Sequence, residues 1–215
     1  MFISHLTAKK VVAKNIAHEL ALYGIKAFVA HEDIQPSKEW AVEIMRALQT
    51  CHAMIALLSP GFISSNWCDQ EVGVALGRQV PIVPLKYESD PHGFLSAIQA
   101  IAVAGRNIPA VMPQIVRTFL SSPTTEREMG DCIVSAVATA GTSEAVEKPL
   151  SMLPNVKSAS ASAALLLDEA STSSLVLSSK KAARATIDEA LKRFGYKRKP
   201  PAAPLGALSE DDIPF

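Results

Sequence analysis

The stretch from His52 to Leu58 runs straight into Ser59-Pro60-Gly61, and the six residues after the histidine are all apolar. A short unbroken apolar run bounded by turn residues fits a strand buried on both faces, as at the centre of a parallel sheet. Parallel neighbours cannot be joined by a tight turn; each needs a crossover, most often a helix. The flanking sequence supplies both kinds of element. Val12, Ile16, Leu20 and Tyr23 recur at helical spacing ahead of Gly24, a candidate left-handed cap, and Ile25 to Ala30 reads as a second strand. Trp40, Ile44 and Leu48 predict the buried stripe of a second helix. Ser64, Ser65 and Asn66 offer N-caps for a third helix, which carries Trp67, Glu71, Val74 and Ala75 and ends near Gly77. Val80 to Leu85 predicts a fourth strand, placed at an edge because Pro81 and Pro84 cannot donate to a ladder. Asp90 to Gly93 reads as a turn and Pro109 to Leu120 as a further helix. Phe2 and Ile3 end a first strand; only four residues precede His5, so that strand is expected to be clipped at its start. The order gives an α/β chain with a doubly wound parallel sheet over about residues 1 to 120.

Charge and cysteine usage narrow the function classes. Twenty-one basic residues balance 21 acidic ones, which argues against a polyanion binder held by bulk charge and so against nucleic acid as a partner. No window approaches the roughly 18 uninterrupted apolar residues of a membrane span, and the N-terminus lacks an export pattern, so a cytoplasmic protein without membrane contact is expected. Cys51, Cys68 and Cys132 are an odd number without metal-ligand spacing and read as reduced thiols. The five histidines form no i, i+3 or i, i+4 pair, and no metal is assigned.

Beyond about Leu120 the pattern weakens, and serine and alanine together make up a third of residues 151–215. Residues 121–150 read as a helical extension or linker and 151–196 as a small helical segment. Its helix runs from about Lys180 to Phe194, with the apolar patch Ala163 to Leu167 available to pack against it. A winged-helix-like domain is the alternative. Residues 197–215, with Lys197-Arg198-Lys199, two prolines and the acidic Glu210, Asp211 and Asp212, read as a disordered tail. The basic cluster is a solvated helix end or a contact for nucleic acid or acidic lipid.

In an open parallel sheet, ligands bind at the C-terminal ends of the strands, where the strand order reverses. The loops there are Ser4 to Thr7, Ala30 to Ser37, Ser59 to Asn66 and Lys86 to Gly93. None carries a G-x-G-x-x-G or a phosphate-cradling G-x-x-x-x-G-K-[ST], so dinucleotide dehydrogenases and P-loop NTPases fit poorly. A phosphate-accepting receiver fits poorly too, because the first and third strands end in Ser4 and Ser59 rather than acids. Trp67 and Glu71, four apart, share a helix face, with the carboxylate one turn from the helix start. Alone, that spacing equally describes a packing anchor and an acid favoured by the helix dipole.

Five blocks occur in order: Phe2-Ile3-Ser4-His5, Gly24 to Val29, Glu32 to Trp40, Leu57 to Phe62, and Ser65 to Glu71. Together they resemble a Toll/interleukin-1 receptor (TIR) domain of the bacterial kind, over about residues 1–120. The first strand is short, and Ser37 stands where many relatives carry glycine. The resemblance implies a flavodoxin-like doubly wound sheet of five parallel strands, followed here by a helical, partly disordered C-terminal extension. It also implies one of two functions. Catalytic members cleave NAD between nicotinamide and ribose, giving ADP-ribose or a cyclic isomer, in bacterial defence signalling; others are scaffolds that only bind TIR domains. NAD would be substrate, with no cofactor. Self-association through TIR domains, and a TIR-containing or effector protein as partner, follow from the same resemblance.

The family's catalytic glutamate falls on Glu71. The chemistry is sound with one carboxylate: nicotinamide leaves NAD as a neutral molecule, so no general acid is required, unlike ordinary glycoside hydrolysis. Glu71 would hold the ribose diol and stabilise the oxocarbenium ion, as electrostatic partner rather than nucleophile. A deoxyribosyltransferase-like site, in which a glutamate attacks the sugar, is a more distant alternative. Around Glu71, Ser4 and His5 are candidates for phosphate or ribose. Phe28 and Trp40 are core residues or ring-stacking platforms. His31 and Asp33, with Glu32, form the loop that in this family often mediates self-association and gates the site, or is simply solvated. Ser59 ends its strand with a hydroxyl able to reach ligand, Trp67 frames the pocket, and Asp69 favours the helix start.

Overall fold

A computed structural model describes residues 1–29, 40–178 and 181–198. Five parallel strands form one sheet: β1 (Phe2–Ser4), β2 (Phe28–Val29), β3 (Met54–Leu58), β4 (Ile82–Lys86) and β5 (Ile101–Ala102). Their spatial order is β2-β1-β3-β4-β5, so the order reverses between β1 and β3. This is the flavodoxin-like arrangement implied by the sequence. β3 is buried along its whole length, as its unbroken apolar run requires.

Alternation along the strands divides the core in two. Ile3, Ile55, Leu57, Val83 and Leu85 face one side, against α1 (Lys10–Ala21) and α4 (Ile108–Leu120). Phe2, Met54, Ala56, Leu58 and Ile82 face the other, against α2 (Trp40–Thr50) and α3 (Asn66–Gly77). Ser4 shares the parity of Phe2 and therefore belongs to the α2/α3 side.

Several expectations are corrected. β4 is internal rather than an edge strand, with β3 on one side and β5 on the other. The Pro81 carbonyl and the Tyr87 amide bond to β3, whereas the Lys86 carbonyl bonds towards β5. Pro84 has the parity of Lys86, so its missing donor faces β5's side, where β5 pairs only with Leu85 and Lys86. The second strand is two residues, not the Ile25 to Ala30 expected, and the fifth strand carries no pattern of its own. Trp40 is not part of the buried stripe of its helix; Ile44 and Leu48 are. The expected loop from Ala30 to Ser37, including His31, Asp33 and Ser37, lies outside the described residues, as does the tail from Lys199 onward.

The C-terminal part holds more structure than its composition suggests. Where one helix is expected beyond residue 151, the chain forms α7 (Ala161–Ser173), α8 (Leu175–Ser178) and α9 (Lys181–Arg193), preceded by α5 (Glu126–Ala138) and α6 (Ser143–Met152). Ala163, Ala164 and Leu167 do pack in one core with Ile187, Ala190 and Leu191, while Leu165 and Leu166 are exposed. That core is continuous with the α1/α4 side of the sheet. Lys148 of α6 pairs with the buried Glu19 of α1 at 2.6 Å. Arg198 is engaged by Asp168 and Asp188 at 2.6 and 2.7 Å, which fits a solvated helix end. Among the described residues no helix is long and apolar enough to cross a membrane.

Two glycines allow α5 to pack this closely. A Cβ on Gly130 would lie 2.4 Å from the Ser158 carbonyl oxygen, and one on Gly24 2.5 Å from that of Cys132. Gly24 also has φ +77°, outside the range that side chains favour. Gly24→Ala is expected to destabilise the protein by about 1–3 kcal/mol through overpacking and backbone strain. Urea unfolding checks this; because the core is shared, the sheet and the C-terminal helices should lose stability in one transition.

Candidate functional site

α3 is capped by Ser65, whose side chain accepts a hydrogen bond from the Cys68 amide at 3.3 Å. That cap fixes where the helix turns over the sheet, and it brings Glu71, in the second turn, above the end of β1. The Ser4 hydroxyl donates to Glu71 Oε2 at 2.5 Å, and both side chains are buried. The contact lies beside the β1/β3 reversal, the position at which open α/β sheets bind ligands.

Glu71 is 5% exposed. Burial pushes its carboxyl from 4.5 up to about 7, while the hydrogen bond from Ser4 pulls the other way. The acid therefore has a large ionisation cost, which the Ser4 bond opposes. A cleft of about 200 Å³ opens over it, lined by His5, Leu6, Thr7, Trp40, Ile44, Ser65, Trp67 and Cys68. The volume is below the roughly 300–1,000 Å³ of sites that enclose a drug-sized ligand. No lysine or arginine is among the described lining residues.

The cleft brings together Glu71, Ser4, His5, Trp40 and Trp67. Trp40 and Trp67 meet at its rim with ring centroids 4.4 Å apart and planes inclined by 53°, and remain 38% and 46% exposed. His5 is buried and donates from Nδ1 to the Ile3 carbonyl at 3.1 Å, because a carbonyl can only accept. Phe28 is elsewhere: it stacks on Phe2 at 5.5 Å, one step back along the sheet, and lines a hollow at the opposite end. That hollow is larger, about 590 Å³, but holds no acidic side chain among its described lining. Ser59 is fully buried, its hydroxyl has no hydrogen-bond partner among the described residues, and it does not line the cleft. Asp69 faces His92 at 3.5 Å. His31 and Asp33 cannot be placed, lying outside the described residues.

Cys68, read in the sequence only as a reduced thiol, also lines the cleft. Its spacing of three from Glu71 puts both on one helix face, a signal available beforehand. Burial pushes its thiol up, with the bond from Ser65 opposing and Glu71 adding to the rise.

A flavodoxin-like sheet with a buried acid at the strand-order reversal defines an α/β domain built to bind at the ends of β1 and β3. The family model for the TIR domain matches residues 1–114, and the chain belongs to the TIR domain family. Over 104 residues it is 27% identical to the probable 2' cyclic ADP-D-ribose synthase BdTIR of Brachypodium distachyon. The match covers 47% of this chain and 46% of that protein, so the chain spans about half the length of this curated relative. The TIR domain of the Toll-related receptor TRR-2 from Hydra magnipapillata is 23% identical, with a TM-score of 0.47, over 56% of this chain and 97% of that one.

The raised carboxyl has a stability consequence. An acid whose folded value exceeds its unfolded one binds its proton more tightly when folded. Glu71 therefore carries no penalty below 4.5, and the fold loses stability as the pH rises from 4.5 to about 7. Glu71→Gln is expected to raise stability at about pH 8, by an amount on the order of 3 kcal/mol at most, and to leave it unchanged at about pH 4.5. Thermal melts at the two pH values check it; equal midpoints at the higher pH would show an ordinary carboxyl.

Proposed function

We propose that the chain cleaves NAD at the bond between nicotinamide and ribose, with Glu71 as the acid. The observation that carries this is a carboxyl buried beside a single hydroxyl donor, under an aromatic rim, at the strand-order reversal of a TIR fold. The similarity to the probable 2' cyclic ADP-D-ribose synthase of Brachypodium supports the same chemistry.

The reaction asks little acid–base chemistry of the protein. The C1′–N bond breaks, its electron pair goes to the pyridinium nitrogen, and nicotinamide leaves neutral. C1′ is left as an oxocarbenium centre, which ionised Glu71 stabilises across a cleft of low polarity. Water then adds and loses a proton to give ADP-ribose, or a ribose hydroxyl of the same molecule does so to give a cyclic isomer. Trp40 and Trp67 would hold the departing ring, and His5 the ribose side of the substrate. A bacterial origin, a cytoplasmic setting and a role in defence signalling belong to the same proposal and rest on the five sequence blocks.

The scaffold reading has its own observation. Trp40, Met45 and Trp67 are exposed along α2 and α3, beside an apolar groove of about 380 Å³. Such a surface suits self-association or a TIR-containing partner. Turnover separates the two readings.

Purified protein at low and high concentration is expected to release nicotinamide from NAD, followed by chromatography. Glu71→Ala should lower release by at least about a hundredfold while remaining folded. Absence of release at every concentration would leave the scaffold. Because the acid acts ionised, kcat/KM should fall about tenfold per unit below about pH 7 and level off above it. A flat profile from about pH 5 to 8 would remove Glu71 from the role.

A further inference from the structure

We propose that Ser4 is a positioning residue, whose hydroxyl aims the Glu71 carboxylate at the cleft rather than binding substrate itself. This deepens the NAD-cleaving reading of Glu71 and rests on it for the activity, but not for the geometry.

Ser4 is fully buried and its hydroxyl proton is already given to Glu71 Oε2. It is the last residue of β1, a strand flanked by β2 and β3, and it pairs with Ala56 across the ladder. A side chain on so restrained a backbone is a fixed donor. The parity of β1 points it to the α3 side, and the Ser65 cap sets the height of α3, so donor and acceptor are each held by their own element. With Oε2 tied to Ser4, the carboxylate can turn only about that bond, and Oε1 is the oxygen left to meet a ribose.

The surroundings give this single hydroxyl unusual weight. From the loop after β1 the cleft receives His5, from α3 Cys68, and from α2 only Trp40 and Ile44 among the described residues. His5 has Nδ1 committed to Ile3, and burial keeps the Cys68 thiol protonated. No lysine or arginine is on the described lining, and the Ser4 bond opposes the burial cost of the charged acid.

The test compares wild type, Ser4→Ala and Ser4→Thr, the last retaining a hydroxyl. The Glu71 side-chain carboxyl is followed by carbon NMR against pH without NAD, assigned by its loss in Glu71→Gln, and melting confirms that each variant is folded. The midpoint is expected near 7 in wild type, about one unit higher in Ser4→Ala, and restored in Ser4→Thr. NAD cleavage, read as kcat/KM, should follow: about tenfold lower for Ser4→Ala at about pH 6 and nearly unchanged at about pH 9. An unshifted carbon midpoint overturns the proposal. So does a rise in KM at every pH with the midpoint fixed, which would make Ser4 a direct substrate contact. Should wild type fail to cleave NAD, the activity reading falls, while the carbon titration still decides the role of Ser4.

Discussion

A carboxylate can be kept nearly dry only next to a donor, and here the donor comes from 67 residues away. The Ser4–Glu71 bond exists because β1 and β3 are neighbours, so the helix that follows β3 returns over the end of β1. It also depends on register. A slip of one residue in β1 would send Ile3 or His5 to the place of Ser4 and turn the hydroxyl to the other face of the sheet. The pairing of Ser4 with Ala56, inside a strand buried throughout, is what forbids that slip. Site geometry is thus a consequence of core packing rather than an addition to it.

The two faces of the sheet carry unequal loads. On the α1/α4 face, five further helices close over the core, and the chain approaches itself closely enough that two glycines are needed at the contacts. On the α2/α3 face the core is smaller, an ionisable side chain is buried, and two tryptophans stand half in solvent. Stability is concentrated on the face away from the site, and the face with the site keeps an acid that costs the fold free energy at neutral pH.

What was legible in the sequence follows from periodicity. The unbroken run of β3, the stripe of α1 and the capped start of α3 each carry a local signature, and the ordered blocks around them place Glu71. The misread elements lack one. β5 is two residues long, and no period can be read from two residues. The prolines of β4 suggest an edge, yet a missing amide matters only on the side where a partner strand would need it. The serine- and alanine-rich end reads as a weak core by composition, whereas small side chains such as Ala163 and Ala164 let helices approach closely. Helical spacing puts Trp40 in line with Ile44 and Leu48, but it does not say that the first turn lies at the rim of the cleft. The Ser4 partnership was within reach: strand parity shows which face Ser4 occupies, and only the crossover of α3 had to be added.

The charge pattern of the cleft also bears on its occupant. One acid, an aromatic rim and no lysine or arginine on the described lining suit a flat cation better than an anion, so under the proposed function the pyridinium end of NAD would lie inside and the phosphates outside. A cation beside Glu71 favours the ionised form, opposing the burial that raises it. On that reading substrate and proton would compete for the same carboxyl, which is partly neutral near pH 7 before the positive ring arrives. The free energy of placing that ring would then ionise the acid, so that the proposed chemistry would find it charged as an oxocarbenium centre forms beside it.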